Sequence, residues 1–94
     1  MLYIESLEID DHILEKIEKK HNIRFNEVEE VCLSDRRHTR KSREGLYKVF
    51  SQTAVGRYIL VVLVNKGGGS WKVATAREMT DSERQLYEKS TGGK

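Results

Sequence analysis

The chain has 94 residues, of which 37% are hydrophobic and 34% charged. This composition is typical of one small globular domain, 1–94, and excludes a disordered chain. The net charge of +2 indicates a nucleic-acid partner only if the basic residues are concentrated in one place. A single cysteine, Cys32, excludes a disulfide framework and indicates a reducing compartment.

A cytoplasmic location is the expectation from two further observations. Met1 leads into a mixed apolar and acidic segment, which is not typical of a signal peptide. The longest apolar run, residues 58–64, is too short to span a membrane.

The first predicted elements are a short strand over residues 2–9 and a helix. Ile13, Ile17 and His21 recur at four-residue steps, which predicts one face of a helix. Asp10 precedes them and offers an N-cap.

A second helix is predicted after a break at Asn22, a residue that tolerates the left-handed conformation just past a helix end. It begins at Asn26, and Glu29 stands at the capping-box spacing. Cys32 lies on its apolar stripe, so we expect an inert core thiol rather than a nucleophile.

Residues 36–43 contain five Lys or Arg side chains in eight positions and no apolar residue. Such a segment is typical of a mobile solvated loop, and it can also follow a phosphate backbone. The candidate RNA-binding side chains here are Arg36, Arg37, Arg40, Lys41 and Arg43, and Arg57 at a later turn joins them.

Three strands are predicted over residues 46–53, 58–64 and 71–76, separated by turn sequences, and they form an antiparallel meander. The uninterrupted apolar run of the middle strand predicts a central position in the sheet. Thr80 and Glu83 form a capping box that opens a last helix.

The predicted order β-α-α-β-β-β-α indicates an α+β fold, a small antiparallel sheet with helices on one face. Residues 90–94 include two glycines and are expected to be a frayed tail.

Metal and cofactor chemistry finds no support in the sequence. His12, His21 and His38 lie on different predicted elements, and no pair has ligand spacing. Residues 67–69 are three glycines without the lysine and helix of a phosphate-binding loop, so they predict a hairpin turn. We therefore expect neither a metal nor a cofactor.

Arg77 is the strongest candidate for chemistry because it ends the last strand at a strand-to-helix corner. A guanidinium placed there meets either a carboxylate or a phosphate. The structural alternative is an ion pair with Glu44 or Glu78. His21 likewise has two interpretations, a half-buried histidine that closes its helix or a functional imidazole.

Several short segments of the chain follow one another in a particular order and at a particular spacing. They are Asp10, Lys20-His21-Asn22-Ile23-Arg24-Phe25, Thr75-Ala76-Arg77, Glu83-Arg84 and Tyr87. Together they resemble the motifs of the BrnT family of type II toxins, ribonucleases with a RelE-like fold. The family usually has polar residues where this chain has Ile13 and Ile17.

The resemblance implies a toxin that cleaves RNA without a metal and is neutralised by a cognate antitoxin protein. In that chemistry a 2′-hydroxyl attacks the adjacent phosphate, while the protein supplies charge and a proton. Arg77 would clamp the phosphate, and His21 and Lys20 would transfer the proton and compensate charge. An oligomer is left open, and no membrane partner is expected. The alternative is a non-enzymatic module on the same scaffold that binds a protein or RNA.

Overall fold

The computed structural model describes residues 2–91 as three helices and five strands. The helices are α1 (Asp11–His21), α2 (Phe25–Cys32) and α3 (Asp81–Ser90). The strands are β1 (Ser6–Glu8), β2 (His38–Lys41), β3 (Leu46–Gln52), β4 (Tyr58–Gly67) and β5 (Ser70–Glu78). Within the described residues, none of these helices has the length and apolar content needed to cross a membrane.

The five strands form one sheet in the order β1-β5-β4-β3-β2, with β4 in the middle. The predicted meander of β3, β4 and β5 is confirmed, and so is the central place of the apolar run. The outer strand β1 differs from the rest because it pairs parallel to β5, with Leu7 opposite Trp71. The predicted α+β class is confirmed, with a sheet that is mixed rather than wholly antiparallel.

Helices cover both faces of the sheet, whereas the sequence predicted them on one. Ile59, Val61 and Leu63 of β4 pack into the main core with α1 and α2. On the opposite face, Leu60 forms a smaller cluster with Tyr87 of α3. We call the α1–α2 side the first face and the α3 side the second face. Alternate residues of β4 are thus buried by different helices, because strand side chains point to opposite faces.

The segment predicted as a basic loop is a strand over half its length. Residues 38–41 form β2, which pairs antiparallel with β3, so the observed order is β-α-α-β-β-β-β-α. Its expected mobility is therefore not supported over these residues. An edge strand needs no apolar run, since one side is paired and both faces can stay partly exposed.

The helix ends follow the sequence with two exceptions. Asn22 ends α1 with φ 55°, as predicted. Asp10 is the N-cap residue of α1, but its carboxylate pairs with Lys72 at 2.8 Å instead of capping. The second helix starts at Phe25, not after Asn26, and the acid that accepts the backbone N–H of Arg24 is Glu27 at 3.0 Å.

The last helix has the capping box that the sequence predicted. Thr80 accepts the backbone N–H of Glu83 at 3.2 Å, and the Glu83 carboxylate accepts that of Thr80 at 2.9 Å. The helix continues through Ser90, so the expected frayed tail does not begin there. Residues 92–94 lie outside the described residues.

Candidate nucleic-acid interface

A groove on the second face runs between the β2–β3 hairpin and α3. Its basic residues are Arg40 and Lys41 of β2 and Lys48 of β3. The strand register places Arg40 directly opposite Lys48. Like charges in that position repel and lower stability, unless an anion lies between them. Phe50 and Leu86 supply an apolar wall.

No carboxylate between residues 2 and 91 lies within ion-pair distance of these three cations. Arg40 and Lys41 are exposed and Lys48 is half-buried. The hairpin therefore presents an uncompensated cluster of positive charge, which is what the phosphates of a nucleic acid require. We call this feature the basic groove.

Arg77 stands on the same face because it pairs with Leu60 across the β4–β5 ladder. Its two terminal nitrogens donate to the two carboxylate oxygens of Glu83, both at 2.8 Å. The Glu83 side chain is only 19% exposed, and it also lines the basic groove. The Arg77 guanidinium, with burial opposing, lowers the pKa of the Glu83 carboxyl to about 2.

The ion pair predicted as the structural alternative for Arg77 is thus present, with a different partner. The sequence pointed to Glu44 or Glu78, whereas Glu83 supplies the carboxylate and Glu78 only a backbone carbonyl at 3.1 Å. The sequence identified Glu83 as the capping-box acid and as part of the spaced motifs, but not as the partner of Arg77. The capping box and the salt bridge share one carboxylate, which fixes Arg77 against the start of α3.

Arg57 lies on the first face and is enclosed by acceptors from three elements. It donates to Glu27 of α2 at 2.9 Å and to Glu78 of β5 at 2.8 Å. It also donates to the backbone carbonyl of Asn22, at the end of α1, at 2.9 Å. These contacts make Arg57 a clasp between α1, α2 and β5.

The other arginines of residues 36–43 fall into two groups, one that holds the fold together and one that is exposed. Arg37 is half-buried and donates to the backbone carbonyls of Cys32 and Leu2, so it ties the N-terminal segment to the end of α2. Arg36 and Arg43 are exposed at the two ends of the segment. Arg36, Arg40, Lys41 and Arg43 therefore remain accessible to a ligand, whereas Arg37 holds the fold together.

Lys20 and His21 lie in the last turn of α1, on the first face. Lys20 is exposed and His21 is half-buried. The backbone carbonyl of His21 is 3.5 Å from an Arg57 nitrogen. His21 and Arg77 thus lie at the same end of the sheet but on opposite faces. The family resemblance gives them roles in one reaction, from which we expected a common surface cleft, and the structure does not bring them into one.

His38 was not identified as a functional residue from the sequence, although it lies on the second face beside the basic groove. It pairs with Phe50 across β2 and β3, and the ring centroids are 5.7 Å apart. Its Nε2 atom is buried and has no hydrogen-bond partner among the described residues. Burial, helped by Arg40, lowers its pKa. Only the alternation of β2 could have indicated this placement.

Cys32 is fully buried in the main core, as the sequence predicted. Burial raises the pKa of its thiol to about 12, so the thiol stays protonated near neutral pH. Among residues 2–91, no group of three or more histidine, cysteine or carboxylate side chains is placed to hold a metal ion.

An α+β fold of this kind is also found among solved structures. The chain is similar to the crystal structure of the ribonuclease toxin BrnT from Brucella abortus, with a TM-score of 0.68. The similarity covers 81% of this chain and 97% of that one, at 13% sequence identity. No protein-family model and no curated protein matches. The fold implied by the motif resemblance is confirmed, and this likeness concerns the fold alone.

Proposed function

We propose that this protein is the toxin of a type II toxin–antitoxin pair and that it cleaves RNA without a metal ion. The uncompensated charge of the basic groove is the observation that carries the proposal, since an anion bound there would relieve the repulsion between Arg40 and Lys48. The shared fold with a ribonuclease toxin and the spaced motifs around Lys20-His21 and Arg77 agree with it. Cellular RNA as a substrate would place the protein in the cytoplasm.

The proposed RNA path follows the second face. Arg40, Lys41 and Lys48 contact the phosphates, and Arg36 and Arg43 extend the contact at either end of β2. Arg77 stabilises the charge that develops on the phosphate when the 2′-hydroxyl attacks. Its guanidinium would exchange part of its contact with Glu83 for the phosphate, and the bidentate geometry of the existing pair suits that exchange.

Proton transfer remains with His21 and Lys20 in this proposal. Both lie at the end of the sheet where Arg77 lies, though on the first face. RNA would have to pass around that end to meet both faces. We leave Arg57 and Arg37 out of the RNA-binding set because their donors already serve protein acceptors.

A non-enzymatic RNA-binding module is the second candidate. The full pairing of Arg77 with Glu83 favours it, and so does the separation of His21 from Arg77. Ile17 is completely buried where the family usually has a polar residue, which leaves the first face without that group.

Expression in a bacterial host distinguishes the ribonuclease toxin from the non-enzymatic RNA-binding module. A toxin stops growth and degrades RNA when expressed alone, and co-expression of a short neighbouring antitoxin gene restores both. The purified toxin also cleaves RNA in the presence of EDTA. A module that only binds RNA retains an RNA oligonucleotide and leaves total RNA intact. A protein that neither binds nor cleaves RNA would remove both candidates.

A further inference from the structure

A second cavity, separate from the basic groove, opens at the edge of the sheet near the N-terminal segment. It has a volume of about 400 Å³ and lies between that segment, the β2–β3 hairpin and the β4–β5 turn. This volume falls within the range of small-molecule sites, roughly 300–1,000 Å³. Three aromatic residues line it, Tyr3, Tyr47 and Trp71. We call it the aromatic cavity.

The aromatic residues are held in place, yet one of them faces solvent. Tyr47 and Trp71 meet edge to face with ring centroids 5.1 Å apart. The Trp71 indole N–H donates to the backbone carbonyl of Tyr3 at 2.8 Å, which anchors the Tyr3 backbone. The Tyr3 residue nevertheless remains 68% exposed.

Gly69 explains how the Tyr3 ring rests against the turn. A Cβ at that position would lie 3.1 Å from Cε2 of Tyr3 and 3.0 Å from Cβ of Glu5, both tighter than most such contacts. The glycine therefore lets the turn support the ring. An exposed aromatic ring with a supported backbone is a stacking platform for a nucleobase.

Polar groups in the cavity suit the edge of a base. The Asn65 side-chain oxygen accepts the backbone N–H of Gly67 at 2.8 Å, which orients the amide and leaves its NH₂ group as a donor. Lys41 lines both this cavity and the basic groove. A strand whose phosphates follow the groove therefore reaches the cavity at Lys41.

We propose that the aromatic cavity binds one unpaired base of single-stranded RNA, stacked on Tyr3 and hydrogen-bonded by Asn65. This inference rests on the proposed function, since it assumes that RNA occupies the basic groove. Single-stranded RNA is commonly recognised by stacking of splayed bases on aromatic rings and by hydrogen bonds to their edges.

The test measures binding of a fluorescent 2′-O-methyl RNA of about eight nucleotides, the length that one small domain covers, because that backbone cannot be cleaved. Tyr3→Ala should weaken binding roughly 5- to 150-fold, as expected for one lost stacking contact. Tyr3→Phe keeps the ring and should stay within about twofold of wild type. Val55→Ala, an exposed side chain on the β3–β4 turn, is the matched control and should bind as wild type.

Salt separates this loss from a loss of charge. Tyr3→Ala should leave the slope of affinity against salt unchanged, because it removes no cation. If Tyr3→Ala bound RNA with wild-type affinity, the proposed base-binding role of the aromatic cavity would be wrong, and the proposed function would be unaffected. If wild-type protein bound no RNA, both would fail.

Discussion

Glu83 has two roles, because it caps the start of α3 and pairs with the candidate functional residue Arg77. Its carboxylate caps α3 through the backbone N–H of Thr80 and at the same time holds both terminal nitrogens of Arg77. A single side chain thus fixes the start of a helix and the direction of the Arg77 guanidinium. Any ligand that binds Arg77 competes with a carboxylate that has a structural duty of its own.

The Glu83 contacts predict how stability depends on pH. Its pKa lies at about 2 in the folded protein, below the ordinary value of 4.5. As the pH falls, the Glu83 carboxylate therefore takes up a proton at a higher pH in the unfolded chain than in the folded chain. Its contribution to the free energy of unfolding is complete above pH 4.5 and declines as the pH falls towards 2. We expect a loss of about 1–2 kcal/mol over that range, allowing for solvent screening of the partly exposed Arg77.

Urea denaturation at several pH values, for wild type and Glu83→Gln, measures this effect. The substitution should remove the part of the acid sensitivity that belongs to Glu83, so the two stability curves converge at low pH. Parallel curves across the acid range would assign the sensitivity to other carboxylates.

At the scale of elements, Arg57 joins the end of α1, the start of α2 and the end of β5 through one guanidinium. Arg57→Ala removes the guanidinium from Glu27, which is 17% exposed and keeps only the backbone N–H of Arg24, and from the Asn22 carbonyl. We expect the free energy of unfolding to fall by about 2–4 kcal/mol, since breaking a largely buried pair strands the remaining charge. Denaturation in urea measures it.

Lys19→Ala is the matched control for that change. Lys19 pairs with Glu15 at 3.6 Å on the outside of α1, and the two side chains are 74% and 67% exposed. Its removal should cost no more than about 0.5 kcal/mol. Equal losses in the two variants would mean that Arg57 is not a clasp.

The β2–β3 hairpin carries a prediction in which stability and binding move in opposite directions. Arg40→Gln relieves the repulsion with Lys48, so the free energy of unfolding should rise by a few tenths of a kcal/mol, about 0.2–0.5. The same change should weaken RNA binding and reduce the salt slope by about 0.7, the value for one lost phosphate contact on a single strand. Lys16→Gln, exposed on α1, serves as the control. Unchanged RNA affinity in Arg40→Gln would mean that Arg40 does not contact RNA and that β2 is only an edge strand of the sheet.

The sequence predicted best the features that depend on neighbouring residues. The left-handed cap at Asn22, the capping box of α3 and the central apolar strand all follow from local patterns, and the structure contains each of them. It could not predict β2, because an edge strand has no buried face to impose an apolar pattern. Nor could it assign the two faces of β4 to different helices, because an uninterrupted apolar run is compatible with any pair of covering elements.

The candidate site was predicted less completely for the same reason. Arg77 was singled out by its place at a strand end, but its partner is six positions away across a corner, and geometry rather than spacing selects Glu83. His21 and Arg77 match motifs at both ends of the chain, yet the side of the sheet on which each lies depends on packing. Arg57 looked like a turn residue, and only the approach of α1, α2 and β5 reveals its role.

At the scale of the whole molecule, the two faces of the sheet differ in how completely helices cover them. The first face is closed by α1 and α2 over the main core, and the second is only partly covered by α3, which leaves the basic groove open. The modest net charge of +2 therefore conceals a local excess. An acidic antitoxin segment laid along that groove would neutralise the repulsion and exclude RNA at once.

RNA cleavage by purified Arg77→Ala protein tests the central claim most directly. In EDTA, wild type should cleave a single-stranded RNA, and the variant should be slower by roughly 10²- to 10³-fold, as expected when one group that stabilises transition-state charge is lost. Circular dichroism melts of both proteins establish that the variant is folded at the assay temperature. Full cleavage by a folded Arg77→Ala protein would contradict the account, and so would an RNA substrate left intact by wild type.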